Sequence, residues 1–65
     1  MTTQEEQLTS LAKRYDQFFE MSDDHRAYQK GLKDHNAIKK LAKEIGSGAR
    51  RIWLSARPDV RPPFD

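Results

Sequence analysis

The residues best suited to chemistry in this chain are the cations around a short glycine turn. Residues 46–48 read Gly-Ser-Gly and precede a predicted helix that opens with Arg50 and Arg51. Backbone amides at a helix N terminus, the positive end of its dipole and guanidinium groups all favour phosphate binding. The predicted nucleic-acid-binding residues are Lys39, Lys40, Lys43, Arg50, Arg51 and Arg57. The competing interpretation is that the same cations form a solvated basic face that aids solubility.

The charges are distributed unevenly along the 65 residues. Residues 1–29 carry three basic and six acidic side chains, a net charge of −3, whereas residues 30–65 carry nine basic and four acidic ones, a net charge of +5. Opposite halves can attract each other in a hairpin or a head-to-tail dimer, and the basic half can also face a polyanion. The charge count alone does not choose between these arrangements.

The sequence offers no arrangement of residues typical of an enzyme or a metal site. His25 and His35 are the two histidines, and they would stand about 15 Å apart on a continuous helix. There is no cysteine, and the glycines do not match the Rossmann or Walker fingerprints. A chain of this length also forms too few secondary-structure elements to enclose a deep substrate cavity. We therefore expect a binding protein rather than an enzyme, with no catalytic residues, no cofactor and no metal.

The first helix is predicted over residues 4–21, which contain no Gly or Pro. Its apolar residues recur at steps of three and four and therefore share one face. They are Leu8, Leu11, Ala12, Tyr15, Phe18 and Phe19. Thr2 or Thr3 is the expected N-cap, and two glutamates in the first turn complement the helix dipole.

Residues 23–45 permit two architectures. Ser22 or Asp23 is the expected cap of a second helix. A second break is possible at residues 34–36, because Asp and Asn both cap and terminate helices. With that break the chain has four short helices. Without it, one helix of about 22 residues packs against the first as a hairpin.

The fold class predicted is all-α: a small bundle of three to four helices, or a helical hairpin plus a short C-terminal helix. Gly46 is placed to end the preceding helix, and the last helix should span about residues 49–56. Residues 1–57 would form one helical domain, and the proline-rich residues 58–65 an extended tail that Val60 and Phe64 dock onto the helices. The predicted core comprises Leu8, Leu11, Tyr15, Phe18, Ile38, Leu41, Ile45 and Ile52.

Residues 38–57 resemble a helix-turn-helix unit over about 20 of the 65 positions. Ala42 supplies the small residue where two helices cross, and Gly46 supplies the tight turn. Leu41, Ile45 and Ile52 take the inward positions. The resemblance implies DNA binding, with Arg50 and Arg51 as the residues that would enter a groove.

The alternative function is a protein-interaction module, such as an adaptor or inhibitor of a larger host protein. Trp53, Leu54 and Phe64 would then anchor the partner, because Trp and Arg dominate interface hot spots. A buried Trp53 with exposed arginines would favour nucleic acid, and an exposed Trp53–Leu54 patch would favour a protein partner. Many regulators encoded by phages and plasmids have this size.

The expected state of the protein is a cytoplasmic homodimer without a membrane partner. No segment approaches 18 consecutive apolar residues, and the mean hydropathy is −0.99. Burial of apolar area stabilises the fold by about 100 kcal/mol, and ordering the chain costs about as much, so the net free energy of folding is near zero. A second copy would supply additional burial.

Overall fold

The computed structural model describes residues 3–64, which form three α-helices and one turn of 3-10 helix. The helices are α1 (Gln4–Arg14), α2 (His25–Ile45) and α3 (Ala49–Ala56), and the 3-10 turn spans Phe19–Met21. Within residues 3–64 there is no strand. The prediction of a small all-α bundle is confirmed. No helix in this part of the chain combines the length and the apolar character needed to cross a bilayer.

Helix α1 begins as predicted but ends early. The Thr3 hydroxyl oxygen accepts a hydrogen bond from the Glu6 amide at 3.2 Å, and Thr2, the other predicted cap, lies outside the described residues. The helix ends at Arg14 rather than at residue 21. The Asp16 carboxylate accepts a hydrogen bond from the Phe18 amide at 2.9 Å, which offers the backbone a turn in place of another helical turn.

This early end changes which phenylalanine is buried. Residues beyond Arg14 no longer follow the helical repeat, so Phe18 is 58% exposed and Phe19 is only 3% exposed. The prediction that Phe18 belongs to the core is therefore wrong. Leu8, Leu11, Tyr15 and Ile38 are buried as predicted, and three other predicted residues are partly buried against them. The observed core comprises Leu8, Leu11, Ala12, Tyr15, Phe19, Ile38, Ala42, Ala49, Trp53 and Val60.

Helix α2 is continuous, which decides between the two predicted architectures in favour of one long helix. Its N-cap is Asp24, whose carboxylate accepts from the Arg26 amide at 3.0 Å; the predicted caps, Ser22 and Asp23, are wrong. The Ser22 hydroxyl instead accepts from the Asp24 amide. The predicted break is absent because Asp34 turns its carboxylate to Arg14 of α1, 3.1 Å away, and not to its own backbone.

A close approach between Phe19 and Gly31 joins the 3-10 turn to α2. A Cβ atom built on Gly31 would overlap the side chain of Phe19. Glycine in a helix costs about 1 kcal/mol relative to alanine. At this position that cost is offset, because only glycine lets the buried ring lie directly on the helix backbone.

Helix α3 and the residues after it pack around Trp53. The indole is fully buried, and its Nε1 donates a hydrogen bond to the Val60 carbonyl oxygen at 2.8 Å. The Phe64 ring meets the indole edge-on, with centroids 6.0 Å apart. The predicted docking of Val60 and Phe64 onto the helices is thus confirmed. An extended conformation of residues 58–65 remains a prediction, and its last residue, Asp65, lies outside the described residues.

Candidate nucleic-acid interface

The candidate interface lies where α2 ends and α3 begins. Gly46 has a φ of 87°, which ends α2 in a conformation that favours glycine. Gly48 is the N-cap of α3, and no side chain within residues 3–64 caps that end of the helix. The outward face of α3 exposes Arg50, Arg51, Leu54 and Ser55.

A cleft of about 510 Å³ lies beside this turn. We call it the basic cleft. Helix α2 contributes Lys39 and Lys43, one turn apart on the same face, and α3 contributes Arg50. The cleft is lined by Lys39, Ala42, Lys43, Gly46, Ser47, Arg50 and Phe64.

The residues between 3 and 64 that line the basic cleft include three cations and no Asp or Glu. Within residues 3–64 the salt bridges are Arg14–Asp34 and Arg57–Asp59, so none of the three cations of the basic cleft is paired there. Three uncompensated positive charges around one concavity raise the local concentration of anions.

Two other predicted cations lie in clefts that also contain carboxylates. Lys40 shares a cleft of about 560 Å³ between α1 and α2 with Glu44. Arg51 shares a cleft of about 790 Å³ with Glu5 and Glu6 of α1. Carboxylates at these positions oppose the approach of phosphate. The structure therefore brings together three of the six predicted residues and leaves these two elsewhere.

The sixth predicted cation, Arg57, makes hydrogen bonds and a salt bridge within the fold. Its Nη1 donates to the carbonyl oxygens of Ala12, Lys13 and Tyr15 at 3.0, 3.2 and 3.2 Å. Its Nε lies 3.5 Å from the Asp59 carboxylate. These carbonyls belong to the last turn of α1 and the residue after it, where helical hydrogen bonding ends, and the Ala12 oxygen also accepts from the Tyr15 amide at 3.3 Å. Sequence spacing gives no sign of this role, because the partners are 42 to 45 residues apart.

The three residues predicted to bind a protein partner differ in how deeply they are buried. Trp53 is fully buried in the core, Leu54 is 38% exposed, and Phe64 is partly buried in the basic cleft. Two apolar side chains that the sequence did not assign to a surface are prominent on the 3-10 turn: Phe18, and Met21 at 76% exposure.

The two histidines occupy separate environments. His25 is exposed, whereas His35 is half-buried and stacks on Tyr15, whose hydroxyl lies 3.3 Å from the His35 Nδ1. Burial raises the pKa of Tyr15, and the carboxylates of Glu20 and Asp16 raise it further. Within residues 3–64 no three His, Asp or Glu side chains converge as metal ligands would.

The local arrangement over residues 38–57 is two helices joined by the Gly46 turn. Ala42 is buried where predicted, and Leu41, Ile45 and Ile52 are partly buried against the core. Comparisons with protein-family models, with curated proteins and with solved structures give no match to this chain. The function of the interface therefore has to follow from its own geometry.

Proposed function

We propose that this chain is a small nucleic-acid-binding protein that contacts phosphates through the basic cleft and performs no catalysis. The observation that carries the proposal is the convergence of Lys39, Lys43 and Arg50 in a cleft that no carboxylate of residues 3–64 lines. Ammonium and guanidinium groups that neutralise phosphates release condensed counterions, which drives association. The guanidinium of Arg50 can also hold a phosphate with two parallel hydrogen bonds.

The burial of Trp53 supports this proposal over a protein-interaction module. A tryptophan that anchors a protein partner has to be presented at the surface. Here the indole is used inside the chain, while Arg50 and Arg51 remain exposed. A homodimer and a cytoplasmic location, both expected from the sequence, are compatible with the proposal and remain predictions.

The direct test is fluorescence anisotropy with a labelled oligonucleotide of mixed sequence over a series of salt concentrations. We expect the variant K39A/K43A/R50A to bind more weakly than the natural chain. The log–log salt dependence should flatten by about 0.7–0.9 for each phosphate that the variant no longer neutralises.

The matched control is R26A/K30A/K33A, which removes the same charge from the exposed N-terminal half of α2. This control should retain most of the affinity and the slope. A control that loses as much binding as the cleft variant would contradict the proposed site. Absence of binding by the natural chain at low salt would contradict the function itself.

A further comparison distinguishes the basic cleft from a diffuse basic half. The variant K40A/R51A removes the two cations that lie beside glutamates. We expect it to lose less affinity than K39A/R50A, which removes the same charge from the basic cleft. Equal losses would indicate that net charge, and not the cleft, governs binding.

The second candidate function remains a protein-interaction module. The exposure of Phe18 and Met21, at the start and end of the 3-10 turn, favours it, since exposed apolar patches mark interaction surfaces. Of the anchors suggested by the sequence, Leu54 and Phe64 retain some exposure. If the natural chain fails to bind any nucleic acid at low salt, this function becomes the better supported one.

A further inference from the structure

The basic cleft contains an aromatic ring that phosphate binding does not require. Phe64 lines the cleft together with Lys39, Lys43 and Arg50. Its ring is half-buried and meets the Trp53 indole nearly at right angles, at 88°. Trp53 is itself held by its hydrogen bond to the Val60 carbonyl. It also packs edge-to-face with Tyr15, and the two ring centroids are 5.5 Å apart. The Phe64 ring therefore packs against the core through Trp53.

An aromatic ring beside unpaired cations suits one form of nucleic acid better than another. In a duplex the faces of the bases are covered by their neighbours in the stack. A single strand can turn a base out, so that its face lies against an aromatic side chain while its phosphates lie on cations. The opening beside Phe64, about 510 Å³, falls within the range of about 300–1,000 Å³ typical of pockets for small ligands.

We propose that the basic cleft binds single-stranded nucleic acid, with an unpaired base against Phe64 and the adjoining phosphates on Lys39, Lys43 and Arg50. This inference rests on the proposed function and adds the class of nucleic acid. An acidic peptide would satisfy the cations but would leave the ring unused. Phe64 therefore separates the two kinds of partner.

The experiment compares two ligands on the full chain. A labelled oligothymidylate and a labelled duplex of the same length are titrated by anisotropy at one salt concentration. We expect the single strand to bind more tightly than the duplex. Trp53 is the single tryptophan of the chain and touches Phe64, so its emission should change on addition of the single strand.

Two substitutions at Phe64 isolate the ring. Phe64→Leu keeps apolar bulk against Trp53 but removes the aromatic face, and Phe64→Tyr keeps that face. Loss of one stacked base is expected to lower affinity for the single strand about 5- to 150-fold. Affinity for the duplex should be unchanged in F64L, and F64Y should bind the single strand as the natural chain does. Far-ultraviolet circular dichroism of each variant confirms that the helices persist; should F64L unfold, the ligand preference of the natural chain and of F64Y decides the question.

Each remaining outcome has a definite meaning. Equal affinity for the two ligands, or an F64L variant that binds the single strand normally, would overturn this inference and leave phosphate binding intact. Failure to bind either ligand would overturn the proposed function as well. Displacement of the single strand by polyglutamate as readily as by unlabelled oligothymidylate would assign the cleft to an acidic protein partner and overturn both.

Discussion

Phe18 and Phe19 are neighbours in the sequence with opposite roles in the structure. The Phe19 ring lies among Tyr15, Tyr28 and His35, with centroid distances of 6.3, 5.8 and 5.6 Å. Phe19→Ala should lower the free energy of unfolding by about 3–5 kcal/mol, the usual cost of removing a buried phenylalanine. Phe18→Ala should change it by less than about 0.5 kcal/mol. Urea denaturation followed by circular dichroism measures both; a larger loss from Phe18→Ala would contradict the observed end of α1.

Gly31 is a second position where the addition of a single atom, Cβ, should change the free energy of unfolding. Gly31→Ala adds a Cβ that overlaps Phe19, and overpacking of this kind costs about 1–3 kcal/mol. Gly48 is the matched control, because its Cβ would meet no atom closer than 4.0 Å and its φ of −79° suits any residue. Urea titrations should show a loss for Gly31→Ala alone. A stabilised Gly31→Ala variant would mean that helix propensity outweighs the contact.

Tyr15 should make the free energy of unfolding fall at alkaline pH. Burial, followed by the charges of Glu20 and Asp16, raises its pKa above the ordinary value of 10.0. The neutral phenol is favoured in the folded state, so this stabilisation is complete below pH 10 and is lost as the pH rises through the raised pKa. Unfolding experiments between pH 8 and about pH 11 should show a steeper decline in the natural chain than in Tyr15→Phe. Parallel curves for the two proteins would contradict this role.

At the scale of elements, the end of α1 depends on a residue beyond α3. Arg57→Met removes the guanidinium donor from the carbonyl oxygens of Ala12, Lys13 and Tyr15 and should cost about 1–3 kcal/mol. Arg61→Met is the control, since Arg61 is exposed and makes no side-chain hydrogen bond within residues 3–64. We also expect Arg57→Met to leave the salt dependence of nucleic-acid binding unchanged, in contrast to the cleft variants. A flattened slope with normal stability would assign Arg57 to phosphate instead.

The parts of the fold that the sequence predicts are those governed by local chemistry. The start of α1, the glycine end of α2 and the limits of α3 follow from caps, glycines and prolines close by. The end of α1 follows only in part, because Arg57 bonds its last carbonyls from across the fold in addition to the local Asp16 turn. The continuity of α2 does not follow, because Arg14 of α1 holds the Asp34 carboxylate. The same distinction applies to the candidate site. The sequence names the cations, but only the packing of α2, α3 and Phe64 shows which of them share a cleft.

At the scale of the whole molecule, the sequence predicts self-association through the face of the first helix or of the long second segment, which is α2. The halves with net charges of −3 and +5 and the small apolar core are the reasons. Sedimentation equilibrium at micromolar concentrations should give a mass above 7.6 kDa that falls toward this value as salt is raised. A mass of 7.6 kDa at every concentration would contradict the dimer.

The bond network of Arg57 also bears on when the protein can fold. A chain is synthesised from its N terminus, so α1 exists long before the guanidinium that completes it. Val60, which accepts the indole hydrogen bond of Trp53, arrives later still. Residues 3–56 alone lack both contacts, so we expect stable structure to form only once the chain has passed Val60.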